Sequence, residues 1–130
     1  MVSLEEPNVV GFRLDGNIDS ESFDRAVTEI QNALKNNRKI RIYAEVISLA
    51  GMSLETFFEN LKVKFEFFGE LDKFEREAVV SDKQWIETLV KIGDKLFPGV
   101  EVKCFTFAEK DDALAWIKGW GKLKLGWIVE

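Results

Sequence analysis

Leu71-Asp72-Lys73-Phe74-Glu75-Arg76-Glu77-Ala78-Val79-Val80-Ser81-Asp82-Lys83-Gln84-Trp85 is the stretch on which the reading of this chain turns. A charged loop, Glu70 to Lys73, gives way to a run centred on Ala78-Val79-Val80, which predicts a strand over 74–81. Asp82 follows at once, a residue type that caps helices. Trp85, Ile86, Leu89, Val90 and Leu96 then recur at helical spacing, one apolar side of a helix. Pro98-Gly99 punctuates, and Val100 to Phe107 reads as another strand, with Cys104 an inert thiol inside it. A strand feeding a capped amphipathic helix and then a further strand is the unit of a crossover sheet.

The same unit recurs upstream. Val9 to Asp15 predicts a first strand with Val10, Phe12 and Leu14 on one face, and Asp15-Gly16-Asn17 predicts a turn. Asp19 or Ser20 caps a helix bearing Phe23, Ala26, Val27, Ile30, Ala33 and Leu34, and Asn36-Asn37 ends it. Lys39 to Ile47 is a second strand: Ile40, Ile42, Ala44 and Val46 face one way, Arg41, Tyr43 and Glu45 the other. Gly51 breaks it. Ser53 caps a helix that runs to about Phe68 and stops at Gly69, a residue suited to the left-handed position after a helix. Downstream, Glu109 to Lys118 predicts a last helix with Ala113, Leu114, Trp116 and Ile117. Read end to end, the order is β-α-β-α-β-α-β-α. It predicts an α/β domain with a mixed, mostly parallel sheet of four to five strands and about four helices.

Residues 1–119 are read as that domain and 120–130 as a C-terminal extension. There Leu123, Leu125, Trp127 and Val129 alternate with Lys122, Lys124, Gly126 and Ile128, a period of two that predicts an added edge strand or an arm. An arm of this kind could pair with a second subunit, since apolar edges invite partners. A homodimer is expected, with Val63, Phe67, Leu123, Leu125 and Trp127 as interface candidates.

Composition narrows the chemistry. The chain has 130 residues, 46% hydrophobic and 32% charged, as an ordinary globular domain does. Its net charge is −5 and its cations are interleaved with acids, so nucleic acid is not expected as a partner. One cysteine, Cys104, cannot form an internal disulfide, and a reducing cytoplasm is the expected home. There is no histidine. That removes the commonest general base and transition-metal ligand, and with it zinc sites, Ser-His-Asp triads and Cys-His dyads. Gly11, Gly16 and Gly51 build no phosphate loop. The carboxylate pairs Asp111-Asp112 and Glu5-Glu6 sit at a helix start and a chain end, where capping or solvation explains them. The first residues carry two glutamates and no long apolar run, so neither a signal peptide nor a membrane span is expected. The expectation is a protein that binds without catalysing, and without a cofactor or metal.

The opening stretch also carries a resemblance. Phe74-Glu75-Arg76-Glu77-Ala78-Val79-Val80-Ser81-Asp82-Lys83-Gln84-Trp85 resembles the "F-E-R-x-A-V-V-x-D-K-x-W" run of the SpoIIAA-like proteins, a bacterial family related to STAS domains. Leu14-Asp15-Gly16-Asn17-Ile18-Asp19 is similar to the family's turn before its first helix. Lys39-Ile40-Arg41-Ile42 resembles its second core strand, and Ala113-Leu114-Ala115-Trp116-Ile117 the end of its last helix. The resemblance spans residues 9 to 118 and has no counterpart for the tail. It implies a STAS or SpoIIAA-like α/β fold, grouped with lipid-transfer domains of the CRAL-TRIO (SEC14-like) type. Two activities attach to the wider relatives: partner switching with anti-sigma factors, and handling of lipidic or other small ligands.

Two candidate sites follow. In anti-sigma-factor antagonists a serine at the start of the second helix is phosphorylated. Ser53 falls near it, but Ala50-Gly51-Met52-Ser53-Leu54-Glu55 lacks the motif's aspartate and following glycine. Glu55 would also repel an added phosphate, so an N-cap role competes. The second site is the helix itself. Leu54, Phe57, Phe58, Leu61, Phe65 and Phe68 make one stripe, most simply core. If the helix lifts on a Gly51 hinge, Phe57, Phe58, Leu61, Phe65, Phe68 and Trp85 become candidate contacts for a small hydrophobic or lipidic ligand, or for a membrane surface at which the protein is peripheral. Val63 and Phe67 project to the opposite side, where apolar surface implies a partner.

Overall fold

The computed structural model describes residues 8–51, 54–82, 90, 91, 93, 95 and 99–118. Its elements are β1 (Val9–Ile18), α1 (Ser20–Asn36), β2 (Ile40–Gly51), α2 (Leu54–Phe67), β3 (Phe74–Val80), β4 (Glu101–Phe105) and α3 (Lys110–Lys118). Short 3-10 turns stand at Leu71–Lys73 and Phe107–Glu109. Val90, Lys91, Gly93 and Lys95 are helical, in the connection between β3 and β4.

The strands form a four-stranded sheet in the order β1-β2-β3-β4, every pairing parallel. The expected mixed, mostly parallel sheet of four to five strands has four among the described residues, all of them parallel, because each connection is a crossover that returns the chain to the same end. When strands are added in one direction, right-handed crossovers all fall on one face. The core shows this. Val10, Phe12, Leu14, Ile42, Ala44, Val46 and Val79 pack on one face against Ala26, Val27, Ile30 and Leu34 of α1 and Phe57, Phe58, Leu61 and Phe65 of α2. The third connection joins them: a Cβ on Gly93 would lie 3.0 Å from Val102 Cγ1, so that helical segment sits hard against β4. The opposite face has a smaller core, in which Tyr43, Ala78 and Val80 meet Ala113 and Ile117 of α3.

Local chemistry accounts for the element ends. Asp19 caps α1 by accepting a 2.9 Å hydrogen bond from the Ser22 amide. At the other end Asn37 Nδ2 donates to the Ala33 carbonyl at 2.8 Å. α2 ends in a Schellman turn: Gly69 N donates to Glu66 O (3.0 Å) and Glu70 N to Phe65 O (2.9 Å), with Gly69 at φ 69°. Ser81 ties the sheet's upper edge, its amide to Phe105 O and its hydroxyl to Val46 O, both at 2.9 Å.

Three expectations need correction. The predicted turn at Asp15-Gly16-Asn17 is strand: β1 continues to Ile18 beside a β2 that runs to Gly51. A bulge permits it, because Leu14 pairs with Val46 but Asp15 with Ser48, leaving Ile47 as the extra, exposed residue. Phe68 is not in the buried stripe of α2. It lies past the last helical turn, in the Schellman loop, and is 45% exposed. Val90, placed on the apolar side of the third helix, is exposed.

Candidate functional site

α2 has two apolar surfaces with different fates. Phe57, Phe58, Leu61 and Phe65 recur at three- and four-residue spacing and point into the sheet. Their rings are occupied by one another and by neighbours: Phe23 meets Phe57 edge-on at 5.8 Å, Phe57 meets Phe58 at 5.3 Å, and Phe65 meets Phe74 at 5.3 Å. As packed, none of these four residues is on the surface.

The outer surface is the reverse. Val63 is 58% exposed and Phe67 84%. They stand four residues apart, one turn above the other. The Schellman turn then swings Phe68 alongside, its ring 5.6 Å from that of Phe67 and 6.4 Å from that of Phe65. Two exposed aromatic rings and a valine therefore collect at the C-terminal end of α2, between Lys62, Lys64 and Glu66. The sequence places Val63 and Phe67 together, and the structure adds Phe68 to them. Ser53, Trp85, Leu123, Leu125 and Trp127 lie outside the described residues.

The sheet carries two buried carboxylates that sequence reasoning passed over. Glu45, 2% exposed, lies on the α3 side of β2. It accepts hydrogen bonds from Tyr43 Oη (2.6 Å), Arg13 Nε (2.9 Å) and Lys110 Nζ (3.0 Å). Burial alone would raise its pKa, but the bonds from Tyr43, Lys110 and Arg13 outweigh burial and hold it below the ordinary carboxylate range. Tyr43 is pushed up, first by burial and then by donating to that carboxylate. This cluster clamps β1, β2 and the start of α3 together. Glu77, 4% exposed, points to the other face beside Ile42 and Val102, and burial pushes its carboxyl up to about 8. Among the described residues no side chain donates to it. The signal for both was available: Glu45 shares the Tyr43 face of an alternating strand, and Glu77 shares the phase of Val79 in an otherwise apolar one.

Arginines fix α3. Arg41 Nη1 donates to Ile117 O and Arg76 Nη1 to Trp116 O, each at 3.0 Å, so cations meet the helix's negative end. Arg76 and Lys103 also lie over the Trp116 ring at 5.0 and 5.3 Å. The Trp116 indole N–H is buried without an acceptor among the described residues. No three His, Cys, Asp or Glu side chains among those residues gather as metal ligands.

A parallel sheet in sequential order, with its large core under α1 and α2 and a short helix on the reverse, defines a small α/β domain of STAS-like architecture. Among the described residues its most exposed large apolar side chains, Phe67 and Val63, stand at the end of a helix. The SpoIIAA-like family profile matches residues 9–118, and the chain belongs to that family. Neither a curated protein nor a solved structure matches it.

Proposed function

We propose that this SpoIIAA-like chain is a non-enzymatic binding protein that rests peripherally on a lipid surface through the outer end of α2. The supporting observation is the trio Val63, Phe67 and Phe68, left in water while the inner stripe of the same helix is fully used by the core. Clustered apolar surface of this kind fits an interface that removes it from water. The docking is superficial: no helix among the described residues is long and apolar enough to cross a bilayer. The inner rings Phe57, Phe58 and Phe65 serve as the rigid backing that holds the outer ones in place. The ligand-pocket form of lipid binding would have to break their ring contacts first.

Co-sedimentation with neutral phosphatidylcholine vesicles tests the apolar term by itself. Each ring is worth roughly tenfold in partitioning once buried. Phe67→Ser with Phe68→Ser should therefore abolish sedimentation, while Val90→Ser, an exposed apolar residue elsewhere, leaves it unchanged. Sedimentation unaffected by the double substitution, or absent in the unaltered protein, refutes the reading.

A further inference from the structure

Beside the end of α2, where α1 finishes and the first 3-10 turn begins, an open groove of about 860 Å³ runs along the base of the sheet. Four cations line it, Lys35, Arg38, Lys39 and Lys73, against one carboxylate, Asp72. In a chain of net charge −5 this is a local reversal of sign. The cations are poorly neutralised from within. Lys39 Nζ donates to the backbone carbonyl of Asp72 at 2.9 Å rather than to its side chain. Lys73 reaches Glu70 at 3.5 Å. The side chains of Lys35 and Arg38, both exposed, have no hydrogen bond or ion pair among the described residues. A helix C-terminus favours a cation such as Lys35; Arg38, Lys39 and Lys73 lie beyond the helix and need another explanation.

The groove and the aromatic end are joined by one short run of chain. The Schellman turn passes directly from Phe68 through Gly69 and Glu70 into the 3-10 turn that supplies Asp72 and Lys73. The bond from Lys39 to Asp72 joins that turn to the start of β2. Apolar rings and poorly neutralised cations thus lie along adjoining segments of the chain. The rings suit the apolar part of a bilayer surface and the cations its phosphates.

From this we infer that the groove takes the anionic phosphate of phospholipid headgroups in the bilayer on which Phe67 and Phe68 rest, an inference that depends on the docking proposed above. The charge pattern also sets the orientation. A net-negative protein is repelled by an anionic surface in most poses, and this end presents a local reversal of that sign.

The test compares vesicles of phosphatidylcholine alone, vesicles of phosphatidylcholine with phosphatidylglycerol, and soluble glycerol phosphate followed by amide NMR shifts. One Lys or Arg near an anionic surface is worth roughly fivefold in partitioning. Lys35→Gln with Arg38→Gln should therefore lower binding to the anionic vesicles about twentyfold or more, and leave binding to neutral vesicles unchanged. The unaltered protein's preference for anionic vesicles should fade in high salt, a readout that needs no variant. Equal binding to both vesicles would overturn the groove assignment and leave the aromatic docking standing. Binding to neither would overturn both. Glycerol phosphate shifting the amides of residues 35–39 at concentrations where anionic vesicles do not bind would assign the groove to a free anion and overturn the headgroup assignment.

Discussion

Replacing Glu77 by glutamine should make the protein more stable, by an amount that grows with pH. Burial holds the Glu77 carboxyl at about 8 against an ordinary 4.5. At pH 7 the folded chain therefore keeps a proton that the unfolded chain has released. The folded-state value is the higher one, so the stability this group contributes is complete below about pH 4.5. It drains away as the pH climbs towards 8. At about 1.4 kcal/mol per pH unit, the loss is roughly 3 kcal/mol by pH 7 and approaches 5 kcal/mol at pH 8 and above. Glutamine has nearly the same shape and never ionises. It should cost little at pH 5, where the native carboxyl is protonated in the fold, and gain several kcal/mol at pH 9 relative to the native chain, by the same linkage. Urea unfolding of both proteins at pH 5, 7 and 9 measures this directly, because every other titrating group is common to the pair. A stability gap that stays constant over that range would show that Glu77 titrates normally and that the account of its burial is wrong.

Tyr43→Phe removes the hydroxyl that donates to Glu45. It should cost about 1–2 kcal/mol at neutral pH. Glu45 is held below its ordinary pKa, so its contribution is present above about pH 4.5 and lost as pH falls through the folded-state value. With one donor gone that loss should begin at higher pH, and an acid-unfolding midpoint that did not move would refute the role given to Tyr43. At Gly69, φ is 69° and a Cβ would meet nothing within 4 Å, so Gly69→Ala isolates the backbone penalty. A loss of about 1 kcal/mol by thermal melting is expected, partly recovered by Gly69→Asn; an unchanged melting temperature would contradict the Schellman geometry.

Most of the fold was legible because its elements are locally consistent. The alternation in Ile40-Arg41-Ile42-Tyr43-Ala44-Glu45-Val46 marks a strand with two distinct faces, but it does not show that Tyr43 and Glu45 on the polar face are buried too, Tyr43 beneath α3. Asp19 and Gly69 announce the start of one helix and the end of another by their side-chain and backbone chemistry. The misread places are those where pairing partners decide. Asp15-Gly16-Asn17 has turn composition, but a neighbouring strand with a spare residue, Ile47, recruits it into the ladder. Phe68 fits the helical period arithmetically, yet the helix has already ended. The candidate site was half legible: Val63 and Phe67 fall off the buried stripe by counting alone. Its cationic neighbour was not, since Lys35, Arg38, Lys39 and Lys73 come from two separate segments that only the sheet brings side by side.

The sequential order of the strands carries a consequence for how the protein can be made. Each of the four strands is laid against the edge left by its predecessor. Among the described residues no strand is threaded between two earlier ones. During synthesis the growing sheet therefore never holds open a slot for a segment still inside the ribosome. α1 and α2 each return the chain to the end where the next parallel strand begins, and among the described strands the newest is always the outermost.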